Sequence, residues 1–252
     1  MNADGYMQAA AELATIAGAN AMSFYRRGLT VDAKADGTPV TIADRSTEEI
    51  ARQWIEKHFP ADGILGEEFG TVRPDAKRRW IIDPIDGTKS FVRGVPLWGT
   101  LVAVAEGEIV LAGAATFPAV GETLSAGLGE GCWWNGSRCA VSQVTDLSRA
   151  TVLTSDMNFA TDIQRFGGVT RTWGDCFGYL LVATGRAEAM FDPVVSAWDV
   201  AALLPAIVEA GGVFTDWSGE PSAFRGSAVA TNAALASQVR DVLRGSASRE
   251  GE

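Results

Sequence analysis

The chain of 252 residues is 47% hydrophobic and sets 21 basic against 31 acidic side chains, a formal net charge of -10. That length and apolar content suffice for one large domain with a sizeable core, and the acidic balance without a basic stripe excludes a surface built to neutralise nucleic-acid phosphates. No apolar run reaches the roughly 18 residues of a membrane span, and the start MNADGYMQAAAELA lacks a basic and then apolar leader, so a cytoplasmic protein without membrane or nucleic-acid partners is expected.

Residues 7–25 place Leu13, Ile16, Ala17, Ala21 and Phe24 at three- and four-residue spacings, which predicts an alanine-rich first helix ending near Gly28. Asp36-Gly37-Thr38-Pro39 reads as a turn. Thr41 and Asp44 then fit a capping pattern before a helix that puts Ile50, Trp54, Ile55 and Phe59 on one face and stops at Pro60. The single histidine, His58, falls at the end of that helix and reads as a surface residue; its solitude removes most Ser-His-Asp and HExxH schemes. From Gly63 to Ala126 the pattern changes to short strand-like runs, GILG, RRWIID, LWGTLVAVAE, IVLAGAATF and ETLSA.

The segment CWWNGSRCAVS carries Asn135-Gly136 between two β-prone arms, a strong hairpin signal. Its cysteines and Cys176 make three, without CxxC spacing, and read as reduced thiols. A strand is predicted at 151–155, helices at 178–185 and 198–210, strands in GVFTDW and GSAVATN around a last helix at 233–243, and a frayed tail at 246–252. No repeat or linker interrupts the chain. It reads as a single domain with subdomains of about 1–145 and 146–245, in layered α+β order rather than regular βαβ alternation.

The stretch WIIDPIDGTKSF sets Asp83 and Asp86 three residues apart across a proline. Pro84 has no N–H for a sheet ladder, so the strand is expected to finish at Asp83 with both carboxylates at its end. Gly87 permits a tight backbone approach, and a helical turn opened by Thr88-Lys89-Ser90-Phe91 would aim free N–H groups at an anion. A site acidic on one side and anion-binding on the other makes chemical sense with hard cations between the two, and magnesium takes oxygen ligands. GEEFG (Glu67, Glu68) and WDVAA (Asp199) end or begin other elements with acids. Each also has a structural reading: an Asx turn at DPID, surface charge at Glu67 and Glu68, a helix dipole at Asp199, a capping box at Asp44.

GEEFG, WIIDPIDGTKSF and WDVAALLPAIVEAGG, in this order and spacing, resemble the inositol monophosphatase superfamily over roughly residues 38–232. DPIDGTKSFVRGVPLWGT and GDCFGYLLVATGRAEAMFDPVVSAWD look most like its bacterial histidinol-phosphate phosphatase branch, since inositol-type members more often carry Thr-Asn where Lys89-Ser90 stands. The resemblance implies an αβαβα sandwich of the sugar-phosphatase type and two or three Mg2+ ions held by Glu67, Asp83, the Ile85 carbonyl, Asp86 and Asp199. It further implies that Thr88 with Asp44 orients the attacking water, that Glu68 supports from behind, and that the Gly87 and Thr88 N–H groups hold the phosphate. Asp175 and Asp192 match positions facing the rest of the substrate. A small phosphate monoester, hydrolysed without a covalent intermediate by a homodimeric enzyme, follows from the same likeness.

Histidinol phosphate, with its cationic amine and imidazole, suits Asp175 and Asp192, whereas a polyol needs only hydrogen bonds; inositol monophosphates, fructose 1,6-bisphosphate and a 3'-phosphonucleotide are the other candidates. Asp175 as a helix cap and Asp192 as the start of a turn are the plainer readings. Three rivals differ in kind. DPIDGT is one residue longer than the DxDGT motif of aspartyl-phosphate phosphatases, which would re-aim the second carboxylate. Cys132-x5-Arg138 copies the cysteine-phosphatase string, but two tryptophans and a hairpin turn occupy its loop. A binding protein on a phosphatase fold would be expected to show a damaged acidic set, and this one is complete.

Overall fold

The structure is a computed structural model describing residues 2–34, 37–157 and 168–247. Small side chains set its first contact. Helix α1 (Ala3–Phe24) starts where Asn2 accepts the Gly5 N–H, and its face of Ala10, Ala14, Ala17, Gly18 and Ala21 lies flat on a sheet. Leu13 bounds this stripe, and Ile16, expected to be buried, is 38% exposed. At 3.6 residues per turn it falls about 60° beyond Leu13, off the edge of the alanine face.

A ribbon of β1 (Asp32–Ala33) and β2 (Pro39–Val40) follows, turned at Gly37 with φ of 83° and its N–H on the Lys34 carbonyl; Asp36 of the predicted turn lies outside the described residues. Helix α2 (Ile42–His58) opens with the Thr41–Asp44 capping box. Ile55 is fully buried while Ile50, Trp54 and Phe59 are partly so, and Phe59 meets Trp80 with ring centroids 4.8 Å apart. His58 ends the helix in an exposed position, its Nδ1 2.8 Å from the Trp54 carbonyl.

Next come β3 (Gly63–Gly66), β4 (Gly70–Val72), β5 (Arg79–Asp86), α3 (Thr88–Val92), β6 (Gly99–Glu106), β7 (Ile109–Phe117), β8 (Glu122–Gly127), β9 (Gly131–Trp134) and β10 (Ser137–Arg138). Strand β5 does not finish at Asp83 as the proline suggested; it runs to Asp86. Asp83 pairs with Leu101 and Asp86 with Gly99, so three steps on β5 oppose two on β6. The extra residue is a bulge, where a proline forfeits no ladder bond, and the Pro84 carbonyl is taken by the Thr100 hydroxyl at 2.7 Å.

After a 3-10 turn (Leu147–Arg149) the chain adds β11 (Thr151–Thr154), β12 (Val169–Arg171), α4 (Asp175–Ala183), β13 (Ala189–Asp192), α5 (Ala197–Val200), α6 (Leu203–Glu209), β14 (Gly212–Thr215), β15 (Ala228–Asn232) and α7 (Ala236–Ala247). Helix α4 starts three residues before the expected Gly178. The helix predicted at 198–210 is two helices, because Pro205 has no N–H to return to the Ala201 carbonyl. The tail expected from residue 246 begins later, since α7 continues to Ala247; residues 248–252 lie outside the described ones.

Beside the β1-β2 ribbon, the described residues form two large sheets, one of eight strands in the order β10-β9-β8-β7-β6-β5-β3-β4 and one of five in the order β12-β11-β13-β15-β14. Helices α1 and α2 cover the outer face of the larger sheet through Ala10, Leu13, Ile55, Trp80, Val102 and Val104. Its inner face meets α4, α5 and α6 through Leu101, Phe117, Tyr179, Leu180 and Leu203, and these helices touch the smaller sheet at Met190, Phe214 and Ala230. Helix α7 covers the far side of that sheet through Leu235 and Val239. The order is the expected αβαβα.

At the corner between α5 and α6 the Ala202 carbonyl lies where a Cβ on Gly113 of β7 would be, 2.2 Å from its ideal position. Because backbone atoms must shift, Gly113→Ala is expected to cost about 1–3 kcal/mol by overpacking, a fall in Tm of about 2–12 °C for a domain of this size. An unchanged Tm in thermal unfolding would show that the corner does not rest on β7.

Candidate functional site

Ends of strands and starts of helices from both sheets meet in one acidic cleft of about 140 Å³, lined by Glu67, Asp83, Ile85, Asp86, Gly87, Thr88, Lys89, Asp175 and Asp199 together with Thr38 and Pro39. The bulge in β5 sets its floor. Asp83 bends back to accept the Ile85 N–H at 3.0 Å, and Gly87, at φ of 83°, turns the chain into α3. A Cβ on Gly87 would lie 2.9 Å from the Leu97 carbonyl and 3.3 Å from an Asp175 carboxyl oxygen, so glycine is required for both conformation and space. The Thr88 hydroxyl is 2.9 Å from the Ile85 carbonyl and 3.4 Å from Asp44 Oδ1.

Asp199 and Asp44 are aimed by the same local device. Each is the third residue of its helix, α5 or α2, and reaches back to the backbone N–H preceding it: Asp199 Oδ2 accepts from Ser196 at 2.6 Å and Asp44 Oδ2 from Thr41 at 2.7 Å. Asp86 accepts the Cys176 N–H at the start of α4, while Asp175 donates its own N–H to Ser155 Oγ at 2.7 Å. Oxygen atoms of Asp83, Asp86 and Asp199 lie within 4.8 Å of one another. Opposite ligands of an octahedral magnesium at its usual 2.0–2.1 Å are about 4.2 Å apart, so this donor set, all oxygen and largely anionic, fits a hard divalent cation.

Glu67 lines the same cleft and hydrogen-bonds to Asp83 but stands outside that closest trio, and Lys34 Nζ holds its Oε1 at 2.7 Å and Glu68 Oε1 at 2.6 Å. Glu68 therefore touches Lys34, and its N–H is fixed by Glu48 Oε2 at 2.6 Å. Asp192 stands apart from the cleft. It lines an adjoining chamber of about 80 Å³ with Ser155, Tyr179, Val194 and Val195, and Asp86, Asp175 and Asp199 border both spaces. The Tyr179 hydroxyl donates to Asp192 Oδ2 at 2.8 Å and the Ser155 N–H to Oδ1 at 3.3 Å.

Four residues here escaped the sequence reading. Lys34 gives no signal, being an isolated lysine, and Lys89 reads only as part of the turn after Gly87 and as a mark of the branch, with no place in the cleft. Tyr179 falls within the helix predicted at 178–185 and is not singled out. Glu48 did have one: it is 0% exposed on the same α2 face as Asp44, Ala51 and Ile55, a charge within an apolar stripe. It clamps the Glu67–Glu68 turn through the Glu68 and Phe69 N–H groups, and Gly66 makes room for it, since a Cβ there would come 2.0 Å from Glu48 Oε1. The cysteine-phosphatase string is refuted by its setting, with Cys132 1% exposed in a hairpin and Arg138 stacked over Trp133.

Burial dominates the electrostatics. It pushes Asp83 and Asp86 well above the usual carboxylate range, reinforced by Glu67 and Asp86 around Asp83 and by Asp175 and Asp199 around Asp86. Asp199 rises to about 7 and Asp192 to about 6, burial being the chief cause in each. Asp44, Glu68 and Asp175 are raised for the same reason. Lys34 is raised as well, against its burial: desolvation opposes its charge, but its hydrogen bonds to Glu67 and Glu68 outweigh that and hold it protonated.

The family model described as the inositol monophosphatase family matches residues 2–247. A histidinol-phosphatase of Chlorobaculum parvum is 44% identical over 231 residues, covering 87% of this chain and 89% of its own, and one of Mycobacterium tuberculosis is 40% identical over 225 residues, covering 84% and 86%. Among solved structures, the Thermotoga maritima IMPase superposes with a TM-score of 0.87 at 31% identity, covering 94% of this chain and 96% of its own.

The raised carboxyls give the cation-free protein a defined pH dependence. Their folded-state pKa values exceed the unfolded value near 4, so the folded chain binds protons more tightly. The stability they contribute is complete below about pH 4 and is lost as pH rises through about 6 for Asp192 and about 7 for Asp199. Thermal unfolding in EDTA should show Tm falling from pH 5 to pH 8, with a flatter profile for Asp199→Asn. A Tm that climbs over this window would contradict the repulsive, desolvated cluster.

Proposed function

The chain belongs to the inositol monophosphatase family, and we propose that, within this family of phosphate monoester hydrolases, it cleaves histidinol phosphate to histidinol and phosphate with Mg2+. One observation carries the reading: Asp83, Asp86 and Asp199 converge within 4.8 Å beside a second acidic chamber containing Asp192. A phosphate dianion cannot enter so negative a cleft unless cations offset the charge. Asp83, Asp86, Asp199, Glu67 and the Ile85 carbonyl would hold two or three Mg2+ ions, Glu67 by exchanging its Lys34 partner. The Ile85 oxygen keeps a second lone pair beside its bond from Thr88. When bound, Mg2+ supplies neutralisation of the phosphate, acidification of water and stabilisation of the leaving oxygen.

The chain's own groups do the rest. Thr88 accepts a hydrogen bond from the attacking water, and its hydroxyl hydrogen turns from the Ile85 carbonyl to Asp44 Oδ1, so that as that hydrogen passes to Asp44 the water's proton replaces it on Thr88; Asp44 Oδ2 is already held by Thr41. Glu67 shares in orienting that water, and Glu68 keeps Lys34 within reach. The Gly87 and Thr88 N–H groups receive the phosphate at the start of α3. In the adjoining chamber Asp175 and Asp192 pair with the amine and imidazole of the alcohol portion through charge-assisted bonds. Water attacks phosphorus directly, and no side chain becomes phosphorylated. Homodimer assembly and a cytoplasmic setting complete the proposal; among the described residues no helix is long and apolar enough to cross a membrane.

Phosphate release from histidinol phosphate, inositol 1-phosphate and fructose 1,6-bisphosphate should rank histidinol phosphate first in kcat/KM with Mg2+ and vanish for all three in EDTA. A preference for the inositol ester would overturn the substrate assignment.

Thr88→Val should lower kcat by about 100-fold or more, the usual worth of a positioned proton-transfer group, while the rise in Tm on adding Mg2+ persists. Asp86→Asn should lose that rise. If Asp86→Asn is stabilised by Mg2+ as much as the parent, the ligand assignment fails.

A further inference from the structure

We propose that Cys132 and Cys139 form a redox-modification site, in which a hydroperoxide converts the two thiols into a reversible cross-strand disulfide. The hairpin geometry sets the pair up. Trp134 lies opposite Ser137 and Trp133 opposite Arg138. One step further, Cys132 faces Cys139, and the Cys139 N–H bonds to the Cys132 carbonyl at 3.1 Å. Directly opposed residues project to the same side of a sheet. The two sulfurs accordingly lie 3.4 Å apart, both thiols free. A hydrogen-bonded antiparallel pair separates Cα atoms by about 5.5 Å, inside the roughly 4.4–6.8 Å that disulfides span. Closing the bond thus needs the sulfurs to approach from 3.4 Å to about 2.05 Å, the length of an S–S bond.

The two thiols are unequal, as an attacking and a resolving cysteine must be. Cys139 is half-buried, and its S–H···S contact with Cys132 holds it below the usual thiol range, with Arg186 helping. Cys132 is buried and pushed up by the same contact and by desolvation. The Cys139 thiolate attacks one peroxide oxygen; the O–O bond breaks, and the departing hydroxide takes a proton to leave as water. The Cys132 sulfur then displaces the hydroxyl of the Cys139 sulfenic acid, the S–S bond forms, and that hydroxyl leaves with the Cys132 proton as a second water. Two thiols lose two electrons, and one peroxide gains them. Cys176 takes no part: it is buried in the first turn of α4, away from this hairpin.

The test uses the full chain, treated with a slight excess of hydrogen peroxide, denatured in N-ethylmaleimide and digested with trypsin, which cuts after Arg138 and so separates the two cysteines. Oxidation should remove two of the three alkylatable thiols. It should also yield the peptide bearing Cys132 joined to the peptide bearing Cys139, and dithiothreitol should part them. Cys132→Ser should leave a Cys139 sulfenic acid that dimedone traps, while Cys139→Ser should leave Cys132 unoxidised. Should either variant fail to fold, the peptide map of the parent protein decides alone. Three alkylated thiols after peroxide, or sulfinic acid on Cys139 with Cys132 untouched in the parent, would overturn the proposal.

Discussion

Carboxylates brought together out of water repel one another and lose hydration, and the fold is organised around tolerating that cost. Asp83, Asp86 and Asp199 each sit where dense protein surrounds them, and each is raised by burial first and by its acidic neighbours next. What offsets this is directional. Asp199 and Asp44 lie in the first turns of α5 and α2, and Asp86 takes the N–H of Cys176 in the first turn of α4, so positive ends of helix dipoles converge on the acids. Lys34, on the ribbon before α2, neutralises Glu67 and Glu68 directly. Cation binding would complete what these contacts begin, and it explains why a chain would gather acids that cost stability in the metal-free state.

Rigid placement of the acids comes from positions where a side chain is absent. The bulge at Pro84 re-aims Asp86 relative to Asp83 without ending the strand. Gly66 admits Glu48, which in turn fixes the turn carrying Glu67, and Gly113 admits the corner that follows Asp199. Gly66, Glu48 and Gly113 lie outside the cleft lining, yet each fixes an element that carries one of its acids.

Much of this was legible in the sequence because local rules and tertiary demands agree. The Thr41–Asp44 capping box, the Asn135-Gly136 hairpin and the runs from GILG to ETLSA all form as the pattern indicates. The chemistry of Asp83, Asp86 and Asp199 was visible as acids at element ends, and their convergence follows from an αβαβα layering that periodicity alone only suggests. What was illegible has physical causes. Pro84 reads as a strand terminator unless the partner strand is known to leave a bulge. Ile16 reads as core because hydrophobicity does not reveal which arc of an alanine-rich helix touches the sheet. Strand β13, with Ala189, Met190, Phe191 and Asp192 all buried, shows no alternation because both its faces are covered. Lys34 reaches Glu67 only through tertiary structure.

The two adjoining spaces divide the labour that the proposed reaction requires. Asp86, Asp175 and Asp199 form their common wall, so a phosphate ester bound across it would place its anionic end among cations and its alcohol end beside Asp192. Asp192, poised at about 6 by burial, is ionised over most of the neutral range and is held by the Tyr179 hydroxyl and by Ser155. A cationic amine or imidazole arriving there would lower that pKa and be retained more firmly in return, since linkage between charge and binding is reciprocal. A neutral polyol gains no such reinforcement and must instead compete for oxygens already partly engaged. On the proposed reading, selectivity for a positively charged alcohol would reside in the depth at which Asp192 is buried at the end of β13, the central strand of the smaller sheet, rather than in the cluster of Asp83, Asp86 and Asp199.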